Sequence, residues 1–246
     1  MTDTQSDDID IVLSDQRIKK WIPIENHSEL LTKYIHELGV ANEYSIIDIY
    51  GIEPELYTMT EYQQLISIVL LFPYSDNFKH KRNQQLQSHR AQVSNEIYFL
   101  PQVVSNACGT IALTHAILNN RHILSTQPNT PLHEFYHSTV QLNKHDRAYA
   151  LANNHTIEQL HHKYSIQGDT EVVNDVDVHY NAFIRHQSHI YELDGTKHQP
   201  IDHGTLDNDD DSIFLQNVIN IIKTQFIDND PDNIRFSIQA LVKTAT

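Results

Sequence analysis

The sequence predicts a domain that mixes α-helices with β-strands, and three stretches carry the prediction. Asn26 and Glu29 stand at capping-box spacing, and Leu30, Leu31, Tyr34, Ile35 and Leu38 then recur on one helical face until Gly39 stops the helix. Ile46-Ile47-Asp48-Ile49-Tyr50 before Gly51, and the run Leu65 to Phe72 before Pro73, are β-branched or apolar and closed by breakers, as buried strands are. Val176, Val178, Tyr180, Ala182 and Ile184 alternate with Asp177, His179, Asn181, Phe183 and Arg185, and Ile190 to Leu193 forms a second short run, so the pair reads as a hairpin turning at His186-Gln187.

The remaining elements follow in chain order. Residues 1–18 are polar and acidic without sustained periodicity and are expected to form a flexible tail, with a single folded domain over 19–246 whose packed part starts near Trp21. A turn containing Pro54 separates the first two strands. Residues 75–95, with Lys79, Lys81, Arg82 and Arg90, read as a solvated loop or short surface helix, and Ile97 to Leu100 as a strand. Helical spacing through Cys108, Ile111, Ala112 and Ala116 predicts a helix over 106–119 with Cys108 near its N-terminus. Phe214, Leu215, Val218, Ile221, Ile222 and Phe226 line a further helix, and Ile234, Phe236, Ile238 and Ala240 alternate as a closing strand.

Composition narrows the function. A formal charge of -15 repels nucleic-acid phosphates and favours partners with basic surfaces, so no nucleic-acid role is expected. The acidic N-terminus lacks the basic and apolar regions of a signal peptide, and the longest apolar run is too short to cross a bilayer. A soluble, monomeric protein of the cytoplasm, or of cytoplasm and nucleus, with no membrane partner, is the expectation. One cysteine among 246 residues excludes an internal disulfide and suits a reducing compartment.

That thiol is the chemical focus. At a helix N-terminus, exposed N–H groups and the helix dipole stabilise a thiolate. A thiolate hydrolase further needs a base, a group that orients the base, and donors for the oxyanion. His179 and Asp194 fall roughly opposite each other if the hairpin turns at His186-Gln187, and the Gln102 amide precedes Cys108 on the entering segment. The same residues admit a purely structural reading: a buried cysteine, a strand histidine and an Asp-Gly turn.

Gln102-Val-Val-Ser-Asn-Ala-Cys-Gly-Thr110 resembles the active-site signature of the ubiquitin C-terminal hydrolase family, peptidase family C12. Val176-Asp-Val-His179 followed by Tyr191-Glu-Leu-Asp-Gly195, then Pro200 and His203-Gly204, resembles that family's histidine and aspartate blocks. Trp21-Ile-Pro-Ile, Asp48-Ile-Tyr-Gly, Pro54-Glu-Leu, Ile97-Tyr-Phe and Ile234-Arg-Phe-Ser extend the resemblance over residues 20–242. It departs at Tyr180-Asn181, where the family has an aromatic and then an aliphatic residue; Asn181 shares the face of His179 and needs a polar partner.

The resemblance implies an α+β fold with a central, largely antiparallel β-sheet flanked by helices, a papain-like cysteine protease architecture, and a knotted backbone. It implies a deubiquitinating thiol protease acting at the C-terminal glycine of ubiquitin, with Cys108 as nucleophile, His179 as general base and proton donor, Asp194 orienting His179, and Gln102 stabilising the oxyanion. No metal or other cofactor is implied, and ubiquitin, or a related modifier, is the implied partner. The ending, just after the last strand, resembles the family's small single-domain members. A crossover loop over the active site, matching residues 153–174 with Gln167-Gly-Asp-Thr-Glu171, implies small or flexible leaving groups.

Two rival readings remain at this point. His133-Glu-Phe-Tyr-His137 matches HExxH, which on a helix sets two zinc ligands on one face with a glutamate as base. A catalytically inactive ubiquitin-binding module is the other, since correct residue types do not ensure a productive geometry. The remaining histidines, His161-His162 included, read as surface residues.

Overall fold

In a computed structural model of the chain, residues 18–53, 62–86, 96–124, 126–168 and 177–244 are described. The strands among them are β1 (Lys19–Lys20), β2 (Tyr44–Ile49), β3 (Gln64–Pro73), β4 (Val104–Ser105), β5 (Val178–His186), β6 (His189–Leu193), β7 (Ile201–Thr205) and β8 (Ser237–Lys243). The helices are α1 (Ser28–Leu38), α2 (Asp76–Leu86), α3 (Cys108–Asn119), α4 (Arg121–Leu124), α5 (Pro131–Thr139), α6 (Lys144–Ala152), α7 (His155–Ser165) and α8 (Asp211–Ile222), the last widening into a π-type turn over Lys223–Ile227.

Among the described residues, six strands form one sheet in the order β2-β8-β3-β5-β6-β7, every neighbouring pair antiparallel. The sheet is covered on both faces. Ile66, Val69, Tyr180, Ala182 and Leu241 pack under α1 and α3, while Ile68, Phe72, Phe183, Ile238 and Val242 pack under α8. Double burial explains why β3 reads as a near-continuous apolar run instead of alternating. This is the α+β architecture that the resemblance implies.

Several elements differ from the sequence reading for local reasons. Helix α1 is capped by His27, whose Nδ1 accepts from the Leu30 N–H at 3.3 Å, so the cap sits one residue after Asn26. Gly39 ends it at φ 117°, where its N–H reaches the Ile35 and His36 carbonyls and a side chain would be strained. Ile97 to Leu100 is buried but forms no strand. Its backbone is satisfied by side chains of α3: Asn119 bonds both the N–H and the C=O of Tyr98, at 2.8 and 2.9 Å, and His115 Nε2 takes the Leu100 N–H at 3.2 Å.

Residues 76–86 form a helix, and Arg82 on it is buried, not solvated, paired with Glu192 of β6. The closing strand starts at Ser237, leaving Ile234 exposed. Within the described part of the stretch matched to the crossover loop, residues 153–168, α7 occupies His155–Ser165; residues 169–174 of that stretch lie outside the described residues, as do the Pro54 turn and residues 1–17 of the proposed tail.

Candidate active site

Helix α3 begins at Cys108 and is buried on all sides from Cys108 to Leu118, as its almost uniformly apolar sequence requires. Ala107 provides no side-chain cap, so the first-turn N–H groups stay available around the sulfur. The chain enters through Asn106 at φ 63°, whose side-chain amide donates to the Trp21 carbonyl at 3.0 Å. That segment is fixed from the other side by the parallel ladder between Lys19–Lys20 and Val104–Ser105.

Gly109 permits the close seating of this turn. A Cβ there would stand 2.5 Å from Ile24 Cγ2 and 3.4 Å from the Tyr180 ring. One residue on, Thr110 Oγ1 contacts Tyr34 Oη and His161 Nδ1, each at 2.7 Å, and His161 Nε2 reaches the Ile22 carbonyl at 2.6 Å. His161 is therefore a buried bracket under the helix that Cys108 starts, its ring tilted 44° against Trp21 with centroids 4.6 Å apart, and not a surface residue. Burial, with a smaller effect of nearby His162, pushes its pKa down to about 4, so it is neutral there.

His179 and Asp194 meet on the β5–β6 hairpin. Its turn residues are Gln187 and Ser188, both at positive φ, so the hairpin turns one position later than the sequence reading places it. Ala182 pairs with Leu193 and Ile184 with Tyr191; continued outward, this register sets Asp194 opposite Asn181. His179 is Asp194's diagonal neighbour on the same face, and the side chains still meet, with Nε2 2.7 Å from Oδ1. The Thr196 N–H and Oγ1 also donate to Oδ1, both at 2.8 Å.

The electrostatics follow from this packing. Burial alone would raise the Cys108 thiol, but a hydrogen bond from His179 and its charge, with the backbone N–H groups of Tyr180 and Gly109, bring it below its ordinary value. Burial alone would lower His179, but the Asp194 charge and hydrogen bond, joined by Cys108, raise it from 6.5 to about 9. Asp194 resists the upward pull of burial and lies well below the carboxylate range, held by His179, Lys197 and Thr196. The combination favours a thiolate–imidazolium pair with a carboxylate behind it. Since Nε2 faces Asp194, Nδ1 is the ring nitrogen left for Cys108.

Gln102 lies on the entering segment, buried, its N–H donating to the Gly195 carbonyl at 2.7 Å. Its Nε2 donates to the Val104 carbonyl at 2.9 Å, which fixes the amide and leaves its second hydrogen for another acceptor. Gly195 allows the loop after Asp194 to lie against Gln102, since a Cβ would meet Gln102 Cβ at 3.2 Å and Ile111 Cγ2 at 3.1 Å.

Asn181 finds its polar partner in Glu192, with Nδ2 3.1 Å from Oε1. Glu192 also pairs with Arg82 and with His203 Nε2 at 2.9 Å, and Arg82 lies over the Phe226 ring at 4.6 Å. The alternation of β6 set Glu192 and Asp194 on one face, which is the signal by which this network could have been found.

His133 and His137 do share a face of α5, with ring centroids 4.4 Å apart. Among the described residues no group of three His, Cys, Asp or Glu side chains gathers as a metal site.

The chain is similar to known proteins over most of its length. Residues 21–227 match the family model described as ubiquitin carboxyl-terminal hydrolase, family 1. The ubiquitin carboxyl-terminal hydrolase isozyme L1 of Monodelphis domestica is 34% identical over 91% of this chain and 98% of its own. Ubiquitin carboxyl-terminal hydrolase 3 of Arabidopsis thaliana is 32% identical over 92% and 95%. Among solved structures, the Trichinella spiralis UCH37 catalytic domain bound to ubiquitin vinyl methyl ester superposes with a TM-score of 0.74 at 22% identity, covering 94% of this chain and 99% of that one. With the family model covering the core from Trp21 through the end of α8, the chain belongs to the ubiquitin carboxyl-terminal hydrolase family.

Proposed function

We propose that the chain is a cysteine-type deubiquitinase that hydrolyses ester, thioester and (iso)peptide bonds at the C-terminal glycine of ubiquitin. Cys108 is the nucleophile, His179 the general base and proton donor, Asp194 the group orienting His179, and Gln102 an oxyanion donor. The observation that carries this reading is the buried Cys108–His179–Asp194 line at the start of α3, in a chain of this family.

In the reaction, the Cys108 thiolate adds to the carbonyl carbon of the terminal glycine. The tetrahedral oxyanion is met by the free Gln102 amide hydrogen and the Cys108 N–H. As the carbon–leaving group bond breaks, the His179 imidazolium gives its Nδ1 proton to the departing amine, alcohol or thiol, leaving an acyl-enzyme thioester. Neutral His179 then takes a proton from water as the hydroxide adds to the thioester; collapse of the second intermediate frees the carboxylate and restores the pair.

Ubiquitin as the partner is supported by the family and by electrostatics, because a chain of charge -15 attracts a basic peptide tail. The preference for small or flexible leaving groups rests on the family's crossover loop. A cytoplasmic or nuclear location is supported by the single free thiol, and no described helix is long and apolar enough to cross a membrane.

Release of a fluorophore from the C-terminus of ubiquitin tests the reading. Turnover is expected in the native chain, abolished in Cys108→Ala and indifferent to a chelator. A folded native chain that binds ubiquitin without turnover would point to an inactive binder, and loss on chelation alone would point to His133 and His137.

A further inference from the structure

Asp194 does not hold His179 unaided. Thr196 Oγ1 lies 2.8 Å from Asp194 Oδ1 and 3.0 Å from the Tyr74 hydroxyl. A hydroxyl has one proton and can accept another. The carboxylate is acceptor-only, so Thr196 must spend its proton on Asp194 and accept the proton of Tyr74. Tyr74 thereby fixes the direction in which Thr196 donates.

The Tyr74 ring also lies against the imidazole of His179, with centroids 4.8 Å apart and planes 33° apart. Tyr74 itself is fixed at the end of β3: its N–H donates to the Asp177 carbonyl at 2.8 Å, and the preceding Pro73 pairs with Val178 beside His179. One side chain thus touches the base directly and the orienting carboxylate through Thr196. Thr196 is 8% exposed and Asp194 2%, so water is kept from the bond between them, while Tyr74 is half-buried.

We infer that Tyr74 and Thr196 are positioning residues of the hydrolase, forming a chain Tyr74–Thr196–Asp194–His179 that sets the rotamer of the carboxylate and the tilt of the base. The inference rests on the proposed roles of Asp194 and His179. Its mechanism is geometric: the imidazole must present Nδ1 to the thiolate within hydrogen-bond reach, and misplacement of a reacting group lowers the chemical step without altering binding.

The test compares Thr196→Val, Thr196→Ser, Tyr74→Phe and the Thr196→Val/Tyr74→Phe double variant in the full chain. Thr196→Val keeps the shape and removes the hydroxyl, and kcat is expected to fall about 10- to 100-fold, the loss of one hydrogen bond to a charged group, with KM changed less than about twofold. Thr196→Ser should stay within about threefold of native. Tyr74→Phe, which keeps the ring, should lose about three- to tenfold. The double variant should lose clearly less than the product of the two single losses, because the Tyr74 and Thr196 hydroxyls share one bond.

Alkylation of Cys108 by iodoacetamide at neutral pH, read without ubiquitin, should slow in the same rank order. This second readout separates the inference from the assigned activity: native chain without ubiquitin turnover sinks the activity, while the alkylation order still reports on the positioning chain. Thr196→Val equal to native in both kcat and alkylation would overturn the inference. So would Thr196→Ser losing as much as Thr196→Val, or additive losses in the double variant.

Discussion

Asp194 Oδ1 stands 2.7 Å from His179 Nε2 across a diagonal of the β5–β6 hairpin, and this contact is the largest of those, Cys108 included, that favour the charged imidazole against burial. Replacement by Asn preserves the shape but removes the charge. Asp194→Asn is expected to lower kcat/KM on the order of 10²–10⁴-fold, and to move Cys108 alkylation toward the pH of an ordinary thiol. An alkylation profile unchanged from native would show that Asp194 does not set the charge on His179.

The pair should also govern the pH dependence of activity. With the Cys108 thiol depressed and His179 raised to about 9, alkylation should remain rapid at neutral pH, below the range in which a free thiol ionises. Hydrolysis should decline above about pH 9 as the imidazolium loses its proton. A single rise in kcat/KM continuing through that region would exclude the ion pair.

Stability follows the same shifts with definite sign. The folded pKa of His179 is raised from 6.5, so its contribution is fully present below that value and is lost as pH rises through about 9. Asp194 is depressed from 3.8, so its contribution is present above that value and is lost as pH falls through the folded one. Melting temperature measured across pH should therefore fall on the alkaline side more steeply in the native chain than in His179→Gln. Parallel curves would contradict the linkage.

Arg82 is buried beside Glu192 and makes a second test independent of catalysis. Arg82→Met leaves a carboxylate buried with only His203 and Asn181 and is expected to cost about 3–5 kcal/mol in urea unfolding. Arg82→Met combined with Glu192→Met should cost much less than the single change. If the two losses add, the pair is not coupled.

Gly109→Ala places a methyl 2.5 Å from Ile24 Cγ2, immediately after the proposed nucleophile. A loss of about 1–3 kcal/mol is expected, together with reduced turnover, because the turn carrying Cys108 must shift. Ile24→Ala in the same chain should recover part of the turnover. A neutral Gly109→Ala would show that Ile24 yields without moving the turn.

Much of this was legible in the sequence because it is local. The apolar face of α1, the breakers around β2 and β3 and the alternation of β5 each follow from residues within one element. Cys108 at a helix start is equally local. The meeting of His179 and Asp194 was legible only up to the choice of register: a shift of the turn by one position changes the pairing partner but keeps both residues on one face.

What sequence periodicity could not show is long-range satisfaction of polar groups. Arg82 reads as a surface cation because its partner, Glu192, lies in a strand far along the chain. His161 reads as exposed because its two hydrogen-bond partners, the Thr110 hydroxyl and the Ile22 carbonyl, come from other segments. Ile97 to Leu100 reads as a strand because composition does not reveal that Asn119 and His115 will take its backbone hydrogen bonds. In each case the local pattern was sound and a distant side chain decided the outcome.

The order of the sheet carries a consequence for biosynthesis. Strand β8 lies between β2 and β3, with Leu241 paired to Ile46 on one side and Ala240 to Ile68 on the other. On a ribosome, β2 and β3 emerge early yet cannot be joined into one sheet until Ser237–Lys243 has been made and has left the exit tunnel to lie between them. Until then the nascent chain carries two apolar strand edges unmatched, a state that chaperones recognise. It is also a state without the completed sheet on which β5 presents His179, so the site around Cys108 is complete only once β8 has joined its neighbours.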